Sequence, residues 1–207
     1  MLNSQIIFAC ISPHPPIILP SIGSEEDRKQ VIKTVESLEL LGQKFAEAKP
    51  DSIIISSPHP DWGFNVPLFF LAPNFKGEFK QYMMGLETPE FYFNDGKKVY
   101  ETLDKNKKYA LIASGDLSHC LKEDGPYGFS PEGPKFDKDL IDALKKKNIE
   151  KILNLEDDYP QAGECGLRSF CFMLGILEAA KINWHAEILS YEGPFGVGYL
   201  VANFKLH

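Results

Sequence analysis

Apolar residues fall along the chain in two rhythms. Unbroken runs at Gln5–Ser12, Ser52–Ser56 and Tyr109–Ala113 read as buried strands, because a strand covered on both faces shows no polar alternation. Elsewhere apolar residues recur every three or four positions, the signature of an amphipathic helix. Over Ser24–Ala48 they are Val31, Val35, Leu38, Leu41 and Phe45. Ser24 suits the N-cap, Glu25, Glu26 and Asp27 suit the positive end of the helix dipole, and Lys49–Pro50 ends the pattern. Further helices are predicted over Tyr92–Leu103, over Phe136–Lys147 through Leu140, Ile141 and Leu144, and over Gly166–Ala180 through Leu167, Phe170, Leu174 and Leu177. Val66–Leu71 is apolar enough for a strand. His185–Tyr191 and Gly198–Phe204 read as the last two strands, joined by the turn Glu192–Gly196. Alternation of strands and helices predicts an α/β fold with a mostly parallel central sheet flanked by helices. No linker, low-complexity tract or domain-scale repeat interrupts residues 1–207, so a single domain is expected.

Composition narrows the function. The 207 residues are 43% hydrophobic and 25% charged, with a formal net charge of -7. That balance weighs against nucleic acid or an anionic membrane as the partner. The apolar stretch from Gln5 to Pro20 is broken by Ser12, Pro13, His14, Pro15 and Pro16, so no membrane span is expected, and with no signal-peptide pattern the expected location is cytoplasmic. The cysteines Cys10, Cys120, Cys165 and Cys171 form no CxxC pair, which argues against a structural zinc ribbon.

The chemistry-bearing residues cluster after strands. Ser12-Pro13-His14-Pro15 and Ser57-Pro58-His59-Pro60 are the same tetrapeptide, each following a predicted strand, and His119 follows the third. In open parallel sheets ligands bind outside the carboxyl ends of the strands. Three imidazoles therefore converge on one rim if these strands are neighbours. The flanking prolines stiffen the turns, as metal ligands require. His14 and His59 are thus candidate ligands, and His119 is a third ligand or an acid–base group. Asp116 could orient an imidazole or simply cap a turn. In Ala162-Gly163-Glu164-Cys165-Gly166-Leu167-Arg168 the third donor is Glu164 or Cys165. A carboxylate would complete the facial site of non-haem Fe(II) enzymes, and a thiolate would favour Zn, Cu(I) or another softer metal. Arg168 could bind a substrate carboxylate or pair with an acidic neighbour. Trp62, Phe64 and Phe129 could line an aromatic-sized pocket or belong to the core, and Lys145–Lys147 reads as a solvated helix end. Tyr191–Tyr199 is glycine-rich but lacks the ending of a phosphate loop.

These segments, SPHPP at 12–16, SSPHP at 56–60, SGDLSH at 114–119, AGECGLRS at 162–169 and YEGPFGVGYLVA at 191–202, resemble the class III extradiol ring-cleavage dioxygenase superfamily. Within it they resemble proteins like the catalytic subunit of protocatechuate 4,5-dioxygenase, and the related Memo proteins. The resemblance implies Fe(II) held by His14, His59 and Glu164, with His119 as the catalytic acid–base residue and Asp116 beside it. It implies a small aromatic diol and O2 as substrates, and a homo-oligomer. Memo proteins carry Cys-Gly where the enzymes carry the glutamate. The Memo resemblance therefore points to Cys165 instead, and to a metal-binding protein without dioxygenase activity. Zn or Cu is then the alternative to iron.

Overall fold

The computed structural model describes residues 5–207. The strands are β1 (Ile6–Ser12), β2 (Ser52–Ser57), β3 (Glu78–Met83), β4 (Tyr109–Ser114), β5 (Trp184–Glu192) and β6 (Tyr199–Leu206). The helices are α1 (Glu25–Gln30), α2 (Ile32–Ala48), α3 (Trp62–Leu71), α4 (Pro89–Glu101), α5 (Gly133–Lys146), α6 (Ile149–Leu153), α7 (Leu155–Asp158) and α8 (Leu167–Ala179), with a 3-10 turn at Pro16–Ile18.

All six strands form one sheet in the order β3-β2-β4-β1-β6-β5. β1, β4, β2 and β3 pair in parallel, and β6 lies antiparallel between β1 and β5. The fold is thus the expected single-domain α/β with a mostly parallel sheet. Alternate residues of the central strands feed two cores. Phe8, Cys10, Ile53, Ile55, Ala110 and Ile112 pack with Leu38, Leu41 and Phe45 of α2 and with Phe64 and Val66 of α3. Ile11, Ile54, Leu111 and Ala113 pack with Phe93 of α4, with Phe136 and Leu140 of α5, and with Phe170 and Phe172 of α8. Coverage of both faces explains the unbroken apolar runs.

Several expectations are corrected. Val66–Leu71 belongs to helix α3, not to a strand; a short apolar run carries no period that separates a buried helix from a buried strand. The helix expected over Ser24–Ala48 is two helices broken at Val31, although Ser24 is the expected N-cap and forms a capping box with Asp27. β3 lies at the sheet edge, exposed along most of its length, and its mixed sequence EFKQYM gives no alternation to find. The helix expected from Tyr92 begins at Pro89, capped by the Thr88 side chain.

Candidate metal and acid–base centre

The centre lies at the carboxyl edge of β2, β4 and β1, which are adjacent with β4 in the middle. Pairing of Ser12 with Ser114 and of Ser56 with Ala113 ends the three strands at one level. The loops that follow carry His14, His119 and His59. Opposite them, the turn before α8 carries Glu164 and Cys165. The two sides meet at glycines: a Cβ on Gly115 would come within 2.2 Å of the Gly166 Cα.

His14 is 2% exposed. Its backbone N–H donates to Asp116 Oδ1 (3.0 Å), and its Nδ1 lies 2.9 Å from Ser114 Oγ. Its Nε2 lies 3.6 Å from Cys165 Sγ and 3.9 Å from Asp116 Oδ2. Burial, and then the neighbouring His59, push the His14 pKa down to about 3, so the ring stays neutral, as a ligand must. The His59 ring sits 5.3 Å from the His14 ring and 5.5 Å from Trp62.

Donor atoms of His14, His59 and Cys165 lie within 4.8 Å of one another, as do those of Asp116, His119 and Cys165. That span is close to what donors adopt around one ion at bonds of roughly 2.0–2.3 Å. Burial first, and then Asp116, raise the Cys165 thiol well above its ordinary value; a cation between the histidines would supply the counter-charge that stabilises a thiolate. The Asp116 backbone N–H already points at Cys165 Sγ (3.3 Å). These features fit a metal ion.

Glu164, the other candidate donor, is occupied elsewhere. Its Oε2 accepts from Leu167 N–H (2.6 Å) at the start of α8, and its Oε1 lies 3.6 Å from Arg168. The structure therefore brings Cys165, and not Glu164, together with the two histidines. Arg168 is also committed: it donates to Glu87 O (2.7 Å) and to Glu156 (2.6 Å).

His119 hangs on the same loop as Asp116. Its N–H donates to Gly163 O (3.2 Å), and its ring stacks on Tyr127 at 5.3 Å. Its Nε2 is buried with no hydrogen-bond partner. Burial lowers its pKa, partly opposed by Asp116. Burial also raises Asp116 to about 6, against the pull of His14 N–H and His119. Trp62 is 43% exposed and Tyr127 67% exposed, so an aromatic face stands open beside two of the histidines. Phe64 is a core residue, and Phe129 is exposed in the Leu121–Phe129 bridge. Two clefts, each about 500 Å³, lie elsewhere, one against α2 and the end of α3, the other between α4 and α6–α7.

Three supporting residues carry no sequence signal of their own. Ser114 touches His14, as above. Asp137 of α5 accepts from Ser118 N–H (2.8 Å) and from Tyr191 O–H (2.5 Å), anchoring the His119 loop. Glu192, from the glycine-rich segment, accepts from the Thr34 N–H and hydroxyl at the start of α2 (both 2.8 Å), a structural role.

Residues 59–202 match the family described as the catalytic LigB subunit of aromatic ring-opening dioxygenase. The chain belongs to this family, and with it to the class III extradiol dioxygenase superfamily. A protein of Clostridium acetobutylicum is 33% identical over 269 aligned residues, covering 93% of this chain and 56% of the relative, so the chain spans little more than half of that protein's length. The crystal structure of an uncharacterized protein from Escherichia coli K12 shares the fold with a TM-score of 0.67 at 15% identity, over 95% of this chain and 99% of that one. Among the described residues no helix is long and apolar enough to cross a membrane.

Proposed function

We propose that the chain binds one divalent metal ion through His14, His59 and Cys165, and that His119 with Asp116 serves it as an acid–base pair for the oxidative opening of a catecholic ring by O2. The observation that carries this is the convergence of two imidazoles and a thiol within 4.8 Å, beside a buried ring nitrogen of His119 that has no partner. A bound Fe(II) would hold both diol oxygens and supply the oxygen chemistry. The protein's part is proton handling and placement. Neutral His119 takes a phenolic proton at its ring nitrogen and returns it as the ring opens. Asp116, within 4.8 Å, stabilises the imidazolium in between. Trp62 and Tyr127 offer flat surfaces for the aromatic ring.

The thiol supports a second reading. Two histidines and a thiolate depart from the two-histidine, one-carboxylate set of the iron oxygenases and suit Zn or Cu(I) as well. In that reading the protein binds a metal without opening rings, like the Memo proteins. Anaerobic Fe(II) reconstitution followed by a panel of catechols and O2 separates the two. Yellow product and stoichiometric oxygen uptake, abolished in His119→Ala while the metal is retained, is the expected outcome. Bound metal with no uptake across the panel sinks the dioxygenase reading and leaves the metal-binding one.

A further inference from the structure

Ser114 forms two contacts that its single hydroxyl proton cannot serve equally. Its Oγ is 2.5 Å from Gly63 O and 2.9 Å from His14 Nδ1. A carbonyl oxygen can only accept, so the proton goes to Gly63. The other contact then has to be donated by the ring, and His14 carries its proton on Nδ1. Its Nε2 is left with a bare lone pair, aimed at the space shared with Cys165 Sγ.

Gly63 O is available for a reason written in the sequence. In α3 the helical donor to the Gly63 carbonyl would be residue 67, which is Pro67 and has no N–H. A proline ring also crowds the carbonyl four residues back. Gly63 is needed at this approach, since a Cβ there would lie 2.1 Å from Ser57 Oγ and 3.2 Å from His59 Cβ.

We propose that Ser114 is a positioning residue that fixes His14 in the Nδ1–H tautomer and so selects Nε2 as the ligating atom, with Pro67 freeing the carbonyl that fixes Ser114. This rests on the metal reading above for its consequence, but the tautomer itself is a property of the metal-free protein. A ligand histidine ordinarily has its other nitrogen held in this way; here the holder is a strand-end serine whose own proton is fixed by a helix that a proline has opened.

The test begins with the metal-free wild-type protein and nitrogen NMR of the imidazoles. His14 protonated on Nδ1 is the expected result, and a proton on Nε2 overturns the proposal without any variant. Ser114→Ala shifts His14 toward the Nε2–H form, which is the intrinsic preference of an imidazole. It also weakens Zn(II) binding, read by chelator competition, about 10–100-fold. Ser114→Thr restores both readouts, because it keeps the hydroxyl. Pro67→Ala gives a smaller loss, since the carbonyl has a second lone pair and can accept from both donors. Unchanged Zn(II) affinity in Ser114→Ala, or a Pro67→Ala loss as large as that of Ser114→Ala, defeats the assignment. Failure of the wild type to bind Zn(II) at all would instead count against the metal reading, and the tautomer would still be decided by the NMR.

Discussion

The two Ser-Pro-His-Pro turns start from the same four residues and end in different surroundings. Both follow a strand of the parallel sheet, and both bring an imidazole to the same rim. His14 is buried, tied through its backbone to Asp116 and through its ring to Ser114, residues about a hundred positions away. His59 is half-buried and held locally: Ser57 Oγ donates to His59 O and accepts from His59 N–H (3.0 and 3.2 Å), and Trp62 packs beside the ring. Local sequence puts a histidine at the strand end; long-range partners decide its tautomer, burial and charge. β1 and β2 are each paired on both sides, but the outer neighbour of β2 is the exposed edge strand β3, whereas β1 lies between β4 and β6, and the chain after His59 passes straight into α3.

His14→Ala and His59→Ala are both expected to lose bound metal, by more than the roughly 10–100-fold typical of losing a supporting partner. They part company in the metal-free protein. His14→Ala empties a buried site and strands the Ser114 acceptor, at a cost of about 1–3 kcal/mol. His59→Ala, half-exposed, stays within roughly 0.5 kcal/mol. Metal analysis by mass spectrometry and chemical denaturation check the pair, and equal destabilisation would mean that the contrast in burial has no energetic meaning.

The strands and the rim were legible because they rest on short-range signals: unbroken apolar runs for β1, β2 and β4, and histidines directly after them. Legibility fails where partners are distant or where the pattern is degenerate. Val66–Leu71 is apolar in any conformation, and Pro67 reads as a helix breaker although it sits inside α3. β3 is exposed and carries no alternation. Adjacent Glu164 and Cys165 cannot be ranked from order alone, because neighbours in a turn point different ways. Asp137 and Tyr191 meet across 54 positions, and no local pattern announces them.

The turn before α8 offers the next contrast. Cys165→Ala is expected to lose the metal and leave metal-free stability nearly unchanged. Glu164→Ala is expected to retain the metal and cost about 1 kcal/mol, because the Leu167 N–H loses its cap. Reversal of this pattern, with metal lost in Glu164→Ala and kept in Cys165→Ala, would return the third donor to the carboxylate and favour the iron enzyme over the Memo-like reading.

The third loop, which carries His119, has no flanking prolines; a buried carboxylate holds it in their place. Burial pushes Asp137 up to about 7, only partly offset by the Tyr191 hydroxyl and Ser118 N–H. Its folded pKa therefore lies above the ordinary carboxylate value of 3.8. The folded state binds the proton more tightly than the unfolded chain, so this group's contribution is largest in acid and is lost as pH rises from about 4 through about 7. Asp137→Asn has no such proton. The stability of the wild type relative to Asp137→Asn should fall by on the order of 2 kcal/mol between pH 5 and pH 7, and then level off by pH 8. Urea denaturation of both proteins at these pH values measures it, and taking the difference between them cancels the opposing titration of buried His14. A difference that does not vary with pH would mean that Asp137 is ionised in the fold, its charge supported by Ser118 and Tyr191, and that the His119 loop is clamped by an anion instead of a neutral acid.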